Sequence, residues 1–398
     1  MNGVATYTYA MARALVGAGM KVTVISRDHG LPAGDLDRDL SVTRLTVSRD
    51  DPLLYQPQCL DKLLGGLWWR LKADVVLKRD LQWVSKAQEA FQEIHRNHPV
   101  DLVEYHDGHF PGLWAGMNPG VPCVVTLHSA RQVLAYAGGG SLTLRDRLYD
   151  RLERYAARQA SLLICPSRAI RDLAQRGWPD VRKPYRVIPN PFPFELRPLE
   201  EMQQESEKKI LFYAQLSPWK APDLLVKAFA KAAGRFPDWR LEIAGADSWP
   251  KQPFSEQIAA YRLAESVSSR ITLIGQVPHR ALASKIRESA VCVFPSRRFD
   301  NFPYSCMEAM GLGKAIVASR VGGMPEMLAE GECGRLFASG DVEALAACLA
   351  ELMEDAALRA ELGRRARQRV QAEYDPRKIA RRKIEVFQRI VENRFPLE

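Results

Sequence analysis

Short apolar stretches alternate with helix-length segments along this chain, in two series separated by a proline-rich break. In the first series the runs Lys21 to Ser26, Val42 to Val47, Asp101 to Tyr105, Cys123 to Leu127 and Leu162 to Cys165 read as strands. In the second, Ile210 to Ala214, Arg240 to Ala244, Ile271 to Ile274, Val291 to Phe294 and Ile316 to Ala318 do the same. Strands that alternate with helices argue a parallel sheet with helices on its faces, because parallel neighbours need a long crossover between them. The break is P-N-P-F-P-F-E-L-R-P from Pro189, followed by the polar run E-E-M-Q-Q-E-S-E-K-K. It marks a connection between domains. The expected division is an N-terminal domain over 1–190, a linker over 191–208 and a C-terminal domain over 209–375. A basic helix over 376–398 is expected to pack back toward the first domain. A chain of 398 residues is too long for one ordinary core and suits two such domains.

With 46% hydrophobic and 26% charged residues the chain has the composition of a folded globular protein. No apolar stretch approaches the roughly 20 residues that span a bilayer, and nothing at the start reads as a signal peptide, so a cytoplasmic location is expected. Of the seven cysteines, Cys123, Cys165 and Cys292 fall inside strand-like runs and none forms a C-x-x-C pair. They read as reduced core residues. The formal charge of +9 admits nucleic acid, an anionic membrane surface or a phosphorylated small molecule as partner. No zinc-finger, helix-turn-helix or RNA-binding pattern is present, so nucleic acid is not expected. The basic residues gather in Arg359 to Arg394 and more weakly in Lys62 to Lys86. Around the second cluster, over 59–86, Trp68 and Trp69 mix with lysines and arginines. This reads either as a half-buried helix with snorkelling cations or as an interfacial helix. Peripheral contact with the inner membrane face is expected there if the acceptor is lipid-linked. His95 with His98, and His106 with His109, have metal-compatible spacing but no third ligand cluster, so no metal site is expected.

The segment D-N-F-P-Y-S-C-M-E-A-M-G-L-G, Asp300 to Gly313, carries the chemistry. It follows the strand Val291 to Phe294 and precedes the strand Ile316 to Ala318 and the turn Gly322-Gly323, so it lies at a strand's carboxyl end, where open α/β sheets hold ligands. Pro303 is expected in the first helical turn, leaving the amides of Tyr304, Ser305 and Cys306 as free donors for an anion such as a phosphate. Asp300 and Glu308 are placed to accept hydrogen bonds from ligand hydroxyls. The competing reading makes Asp300 a loop carboxylate capping Phe302 or its neighbours, and Glu308 a solvated helix residue.

The segment from Pro295 to Glu326, P-S-R-R-F-D-N-F-P-Y-S-C-M-E-A-M-G-L-G-K-A-I-V-A-S-R-V-G-G-M-P-E, resembles the donor-site signature of the retaining, group-1 (family 4) glycosyltransferases of GT-B fold. The resemblance implies an α/β fold of two Rossmann-like, doubly wound parallel-sheet domains facing a central cleft, the acceptor domain first and the nucleotide-sugar domain second. It implies transfer of a sugar, with retention and without a metal or cofactor, from a nucleotide-diphosphate sugar to an unknown acceptor. By the same resemblance Glu308 contacts the ribose, Asp300 the sugar hydroxyls, Lys220 the diphosphate and His128 the sugar. Donor contacts are further implied at Gly3, Gln215, Phe302, Tyr304, Ser305 and Glu326. His128 ends the strand V-V-T-L-H as the family's V-x-x-x-H does, and Asn190 matches an interdomain P-N read as structural. Three residues depart from the pattern: Asp300 stands where Glu is usual, Pro303 where Gly is, and Gln215 where Arg is.

The opening N-G-V-A-T-Y resembles the family's first helix, with Val4, Tyr7, Met11, Ala14 and Leu15 on one face of a helix from about Ala5 to Gly17. The strand that should precede it is absent, and a start codon assigned too late is the expected reason. Two rival readings stand beside the transferase. One is a catalytically degenerate GT-B protein that binds a nucleotide sugar or scaffolds a polysaccharide assembly. The other is a nicotinamide enzyme, for which the strand followed by G-x-G-x-x-G is lacking.

Overall fold

The structure is a computed structural model that describes residues 3–27, 41–45, 75–107, 120–128, 143–193 and 207–392. The chain divides into two compact units, one of Tyr7–Pro189 with Pro376–Glu398 and one of Asn190–Asp375 with Met1–Thr6. Most of the stretch 59–86, with its two tryptophans, and the break over 194–206 lie outside the described residues, as does His109.

In chain order the first half runs α1 (Gly3–Gly17), β1 (Thr23–Arg27), β2 (Ser41–Leu45), α2 (Val75–Asn97), β3 (Val103–His106) and β4 (Cys123–Thr126). It continues with α3 (Leu144–Gln159), β5 (Leu162–Cys165), α4 (Arg168–Gly177) and β6 (Tyr185–Val187). All the strand pairs are parallel, in a two-stranded sheet β1-β2 and a four-stranded sheet β3-β4-β5-β6. β4 and β5 are buried at every position, which explains why they read as unbroken apolar runs instead of alternating ones. Helix starts are set by side chains: Thr143 and Asp146 form a capping box on α3, and Ser167 accepts the Ile170 amide at 3.2 Å on α4. Among the described residues β1 and β3 pair on one side only. Gly3 is the first residue of α1, two residues before the helix start read from the sequence at about Ala5.

The second half begins with β7 (Glu207–Tyr213), α5 (Pro222–Ala232), β8 (Arg240–Ala244), α6 (Phe254–Ala259), α7 (Glu265–Ser268), β9 (Ile271–Gly275) and α8 (His279–Glu288). It continues with β10 (Ser289–Phe294), α9 (Tyr304–Gly311), β11 (Ala315–Ser319), α10 (Met324–Met327), β12 (Arg335–Phe337), α11 (Val342–Glu354) and α12 (Ala356–Glu373). Its sheet is six-stranded and parallel in the order β12-β11-β10-β7-β8-β9. The order reverses between β7 and β10, so the crossovers leave these two strands in opposite directions and open a crevice at their carboxyl ends. The core beneath is built from Phe212, Phe229, Trp239, Ile243, Val293, Leu345 and Leu349, all buried.

Helix α12 approaches the turn after α9 so closely that a Cβ on Gly363 would lie 2.0 Å from the carbonyl oxygen of Gly313. Four residues on, the buried Arg367 donates from Nη1 to the Gly311 carbonyl at 2.7 Å and closes the carboxyl end of α9. The basic C-terminal segment is therefore not a purely solvated face. The last helix, α13 (Pro376–Val391), belongs with the N-terminal unit. Its Lys383, only 1% exposed, is paired with Glu104 of β3. Burial alone would raise the Glu104 carboxyl. The Lys383 ammonium and hydrogen bonds from Lys383, Thr126 and Tyr7 outweigh it and hold the group down at about 2.

Stability measurements can probe both contacts. Gly363→Ala forces a methyl against backbone that cannot yield. It is expected to lower the urea midpoint by the equivalent of about 1–3 kcal/mol, and an unchanged midpoint would refute the close approach. Glu104 is depressed in the folded state, so its contribution is complete above the ordinary Glu value and is lost as pH falls from there toward about 2. The shift corresponds to about 3 kcal/mol. The double variant Glu104→Gln with Lys383→Met should therefore lose less stability than wild type across that acid window, measured by denaturant titration at each pH.

Candidate active site

Residues that follow β7 and residues that follow β10 meet in the crevice between those strands. Past the end of β7, Leu216 is held by backbone hydrogen bonds with Ala246 and Ser248 at 2.9 Å each. The chain then runs through Ser217, Pro218 and Trp219 to Lys220. Past the end of β10 it runs through Ser296, Arg297 and Arg298 to Asp300. Arg297 ties the two loops together, with its amide donating to the Trp219 carbonyl at 2.8 Å and Nη1 to Pro218 at 3.2 Å. It also forks onto the Asp223 carboxylate at the start of α5, at 2.6 and 2.5 Å. Such bidentate pairs fix direction as well as distance. Arg298 lies over the Trp219 ring at 4.1 Å, a second link between the same loops.

At the centre, Lys220 Nζ is 2.5 Å from Asp300 Oδ2, which also accepts from Ser296 Oγ at 2.9 Å. One ammonium proton is thus committed to Asp300 and two remain for other acceptors. Asp300 is not a cap on Phe302, the competing reading from sequence. The backbone of Asp300 is set by the turn after β11: Gly323 donates its amide to the Asp300 carbonyl at 2.9 Å. At Gly322, where φ is +55°, a Cβ would lie 2.0 Å from that carbonyl oxygen, and at Gly323 a Cβ would lie 1.8 Å from the Asn301 oxygen. Only glycine allows that contact.

Helix α9 starts at Tyr304. Pro303 stands at the cap position with extended backbone, not inside the first turn, and no side chain caps the helix. The amides of its first turn point along the helix axis as potential anion donors. The Ser305 carbonyl accepts from the buried Tyr213 hydroxyl at the end of β7. Glu308 is buried, 4% exposed, which overturns its reading as a solvated helix residue. The Tyr304 hydroxyl is also buried and has no hydrogen-bond partner among the described residues. Burial, and then the nearby Glu308 carboxylate, pushes this phenol well above its ordinary value.

The other residues picked from the sequence fall into two groups. Gln215 is exposed at the end of β7 and donates from Nε2 to Ser248 at 2.9 Å. Glu326 lies in the first turn of the short helix α10, whose Glu326 and Met327 carbonyls accept from Arg369 at 2.8 and 2.9 Å. Phe302 turns inward, its ring edge-on to Tyr374 at 5.3 Å, and its carbonyl accepts from the Asn190 amide at 3.4 Å. Gly3 is exposed at the start of α1. His128 lies in the N-terminal unit just past β4, where its backbone amide donates to Asp107 at 2.6 Å. Burial, and then the neighbouring His106, holds its imidazole well below the ordinary value. Reasoning from sequence missed Ser296, Asp223, Arg297 and Tyr213. The one local signal was an acid opening α5 opposite a Ser-Arg pair that ends a buried strand.

Among the described residues no group of three or more His, Cys, Asp or Glu is arranged to hold a metal ion. No helix among them is long and apolar enough to cross a membrane.

The chain matches the Glycosyltransferase Family 4 description over residues 1–196 and the group 1 glycosyl transferases over residues 199–369. It is 34% identical over 159 residues to the D-inositol 3-phosphate glycosyltransferase of Corynebacterium glutamicum, a match covering 39% of this chain and 37% of that protein. The chain thus spans less than half the length of this curated relative. Among solved structures, sucrose-phosphate synthase from Thermosynechococcus elongatus superposes with a TM-score of 0.73 at 21% identity, covering 98% of this chain and 94% of that one. HepE of Anabaena, solved with UDP and glucose, gives a TM-score of 0.64 at 18% identity, covering 96% and 95%. The parallel sheets of both units, the switch between β7 and β10 and the two successive family matches make this chain a member of the group-1, family-4 glycosyltransferases, with the GT-B fold.

Proposed function

We propose that the chain transfers a sugar from a nucleoside-diphosphate sugar to an acceptor hydroxyl, with retention at the anomeric carbon and with no metal. The observation that carries the reading is the placement of Lys220 and Asp300, 2.5 Å apart, beside the uncapped start of α9 at the carboxyl ends of β7 and β10. A diphosphate suits the two remaining protons of Lys220 together with the first-turn amides of α9. Asp300, oriented by Lys220 and Ser296, suits the hydroxyls of a sugar. Glu308 suits the ribose, since a buried carboxylate makes short, strong hydrogen bonds with hydroxyl donors. His128 is assigned to a sugar hydroxyl. In a front-face route the leaving phosphate takes the acceptor proton, so the protein's task is to hold the diphosphate and the sugar still while charge builds on the leaving oxygen.

The donor base and the acceptor follow from chemistry outside this core. HepE was solved with UDP and glucose, and the Corynebacterium relative is named for an inositol phosphate, so UDP-glucose heads the panel of donors. A peripheral place on the inner membrane face remains the expectation for a lipid-linked acceptor.

Calorimetry with UDP-, GDP- and ADP-sugars should find one donor class that binds. Glu308→Gln, nearly isosteric, is expected to weaken that donor about 10- to 100-fold, the worth of hydrogen bonds to a charged group. Unchanged affinity in a folded variant would sink the assignment. Lys220→Met should weaken the nucleoside diphosphate about tenfold or more while leaving the nucleoside alone unaffected, and equal losses for both would remove Lys220 from the diphosphate site. Binding of a donor by wild type with no turnover on any acceptor would favour the degenerate, binding-only reading.

A further inference from the structure

The carboxyl ends of β3 and β4 carry a half-buried polar cluster, of which the reaction above uses only His128. Side chains alternate along a strand, so Glu104 and His106 share one face of β3, and His128 follows Thr126, the last residue of β4, at the same spacing of two. His106 pairs with Thr126 in the parallel register, which puts all four on the same face of the sheet. Tyr7 and Thr8 of α1 and Lys383 of α13 meet that face. Lys383 Nζ donates to Glu104 and to the Tyr7 hydroxyl, and Tyr7 in turn donates to Glu104 at 2.6 Å. Thr126 donates to the same carboxylate oxygen at 2.5 Å, and Thr8 shares a 2.8 Å hydrogen bond with His106 Nε2. The Tyr7 ring stands edge-on to both imidazoles, 5.3 Å from His106 and 4.5 Å from His128, and these are 5.1 Å from each other.

We infer that Lys383 is a positioning residue for His128: through Tyr7 and Glu104 it fixes the imidazole pair His106 and His128 at the ligand end of the N-terminal sheet. Its functional consequence rests on the reading of His128 as a sugar contact. A buried ion pair is seldom better for stability than well-packed apolar side chains, so its presence here calls for a role in specifying geometry. The Tyr7 ring packs on both imidazoles, and the Glu104 carboxylate acts on them through its charge. Among the described residues, the charged and titratable groups around the pair are Glu104 and Asp107 from β3 and the turn after it, Lys383 from α13, Tyr7 from α1, and the two imidazoles themselves. Burial holds His106 down to about 4, with Lys383 lowering it and Glu104 raising it, and His128 moves in the same direction. Both shifts favour the neutral imidazole, which offers one donor and one acceptor. A neutral ring at His128 can donate to or accept from a sugar hydroxyl.

Histidine ring nitrogen–proton correlation spectra of the full chain test this, assigned with His106→Gln and His128→Gln and followed between about pH 5 and pH 8. In wild type both rings are expected to remain neutral, in one tautomer, across the range. Lys383→Met should shift both sets of ring signals, because it removes the cation that anchors Tyr7 and Glu104 and that lowers both imidazoles. A folded Lys383→Met protein whose histidine signals and titrations superimpose on wild type overturns the inference. Should that variant fail to fold, Tyr7→Phe takes its place, because it keeps the ring and removes only the hydroxyl that Lys383 and Glu104 share; unchanged histidine signals there overturn the inference equally. With any donor that wild type turns over, Lys383→Met should lower kcat about 10- to 100-fold with little change in donor KM. If wild type turns over no donor, the transferase reading fails, and the ring spectra still decide the role of Lys383.

Discussion

A parallel sheet covered by helices on both faces leaves polar chemistry nowhere to go except the strand ends. In the C-terminal unit β10 and β11 are buried at every position, and no ionisable carboxylate or cation can sit along them. The reversal of strand order between β7 and β10 then separates the loops at one end of the sheet and leaves room between them. Lys220 and Asp300, 80 residues apart, come together because each follows one of those two strands. The Arg297 fork onto Asp223 and the seat of Asp300 on Gly322 and Gly323 hold the two loops in register. The site is therefore a consequence of topology first and of side-chain identity second.

The same constraint explains where the excess positive charge is used. Arg367 and Lys383 both come from the basic C-terminal segment, and both are almost fully buried. Each is taken in only where it meets acceptors that the fold leaves over: the open carbonyl end of α9 for Arg367, and the Glu104 carboxylate for Lys383. A carboxylate and an ammonium together are tolerated inside where either alone would have to lose its charge. Part of the net charge of +9 thus serves internal structure, and reading it only as a surface for polyanions would overstate its reach.

Most of the strands were legible because buried parallel strands are local apolar runs bounded by Gly, Pro or Ser. Leu162 to Cys165 and Arg240 to Ala244 occur in the structure with the bounds read from the sequence. β6 and β12 escaped because each has only three residues, too few for a period to show. Lys220, Asp300 and Glu308 were found through motifs that lie within single loops and one helix. The cluster at the end of β3 was only half visible. Glu104 and His106 alternate in an obvious period of two, yet Lys383 lies 279 residues from Glu104, and no local pattern announces such a partner.

The presence of Asp300 where a longer acid is usual in this family is best understood from the backbone. A side chain shorter by one methylene reaches less far, so its carboxylate can serve the same ligand only if its Cα is brought forward and held. Gly322 and Gly323 hold that backbone in place: with no Cβ between them, the turn after β11 lies directly on the carbonyls of Asp300 and Asn301. Lys220 and Ser296 then share one carboxylate oxygen, so the direction of the acid is fixed before any ligand arrives. Prior orientation of this kind lowers the ordering cost of binding. The shorter acid thus sits on a rigid seat, in a geometry set by glycine packing more than by the reach of the side chain.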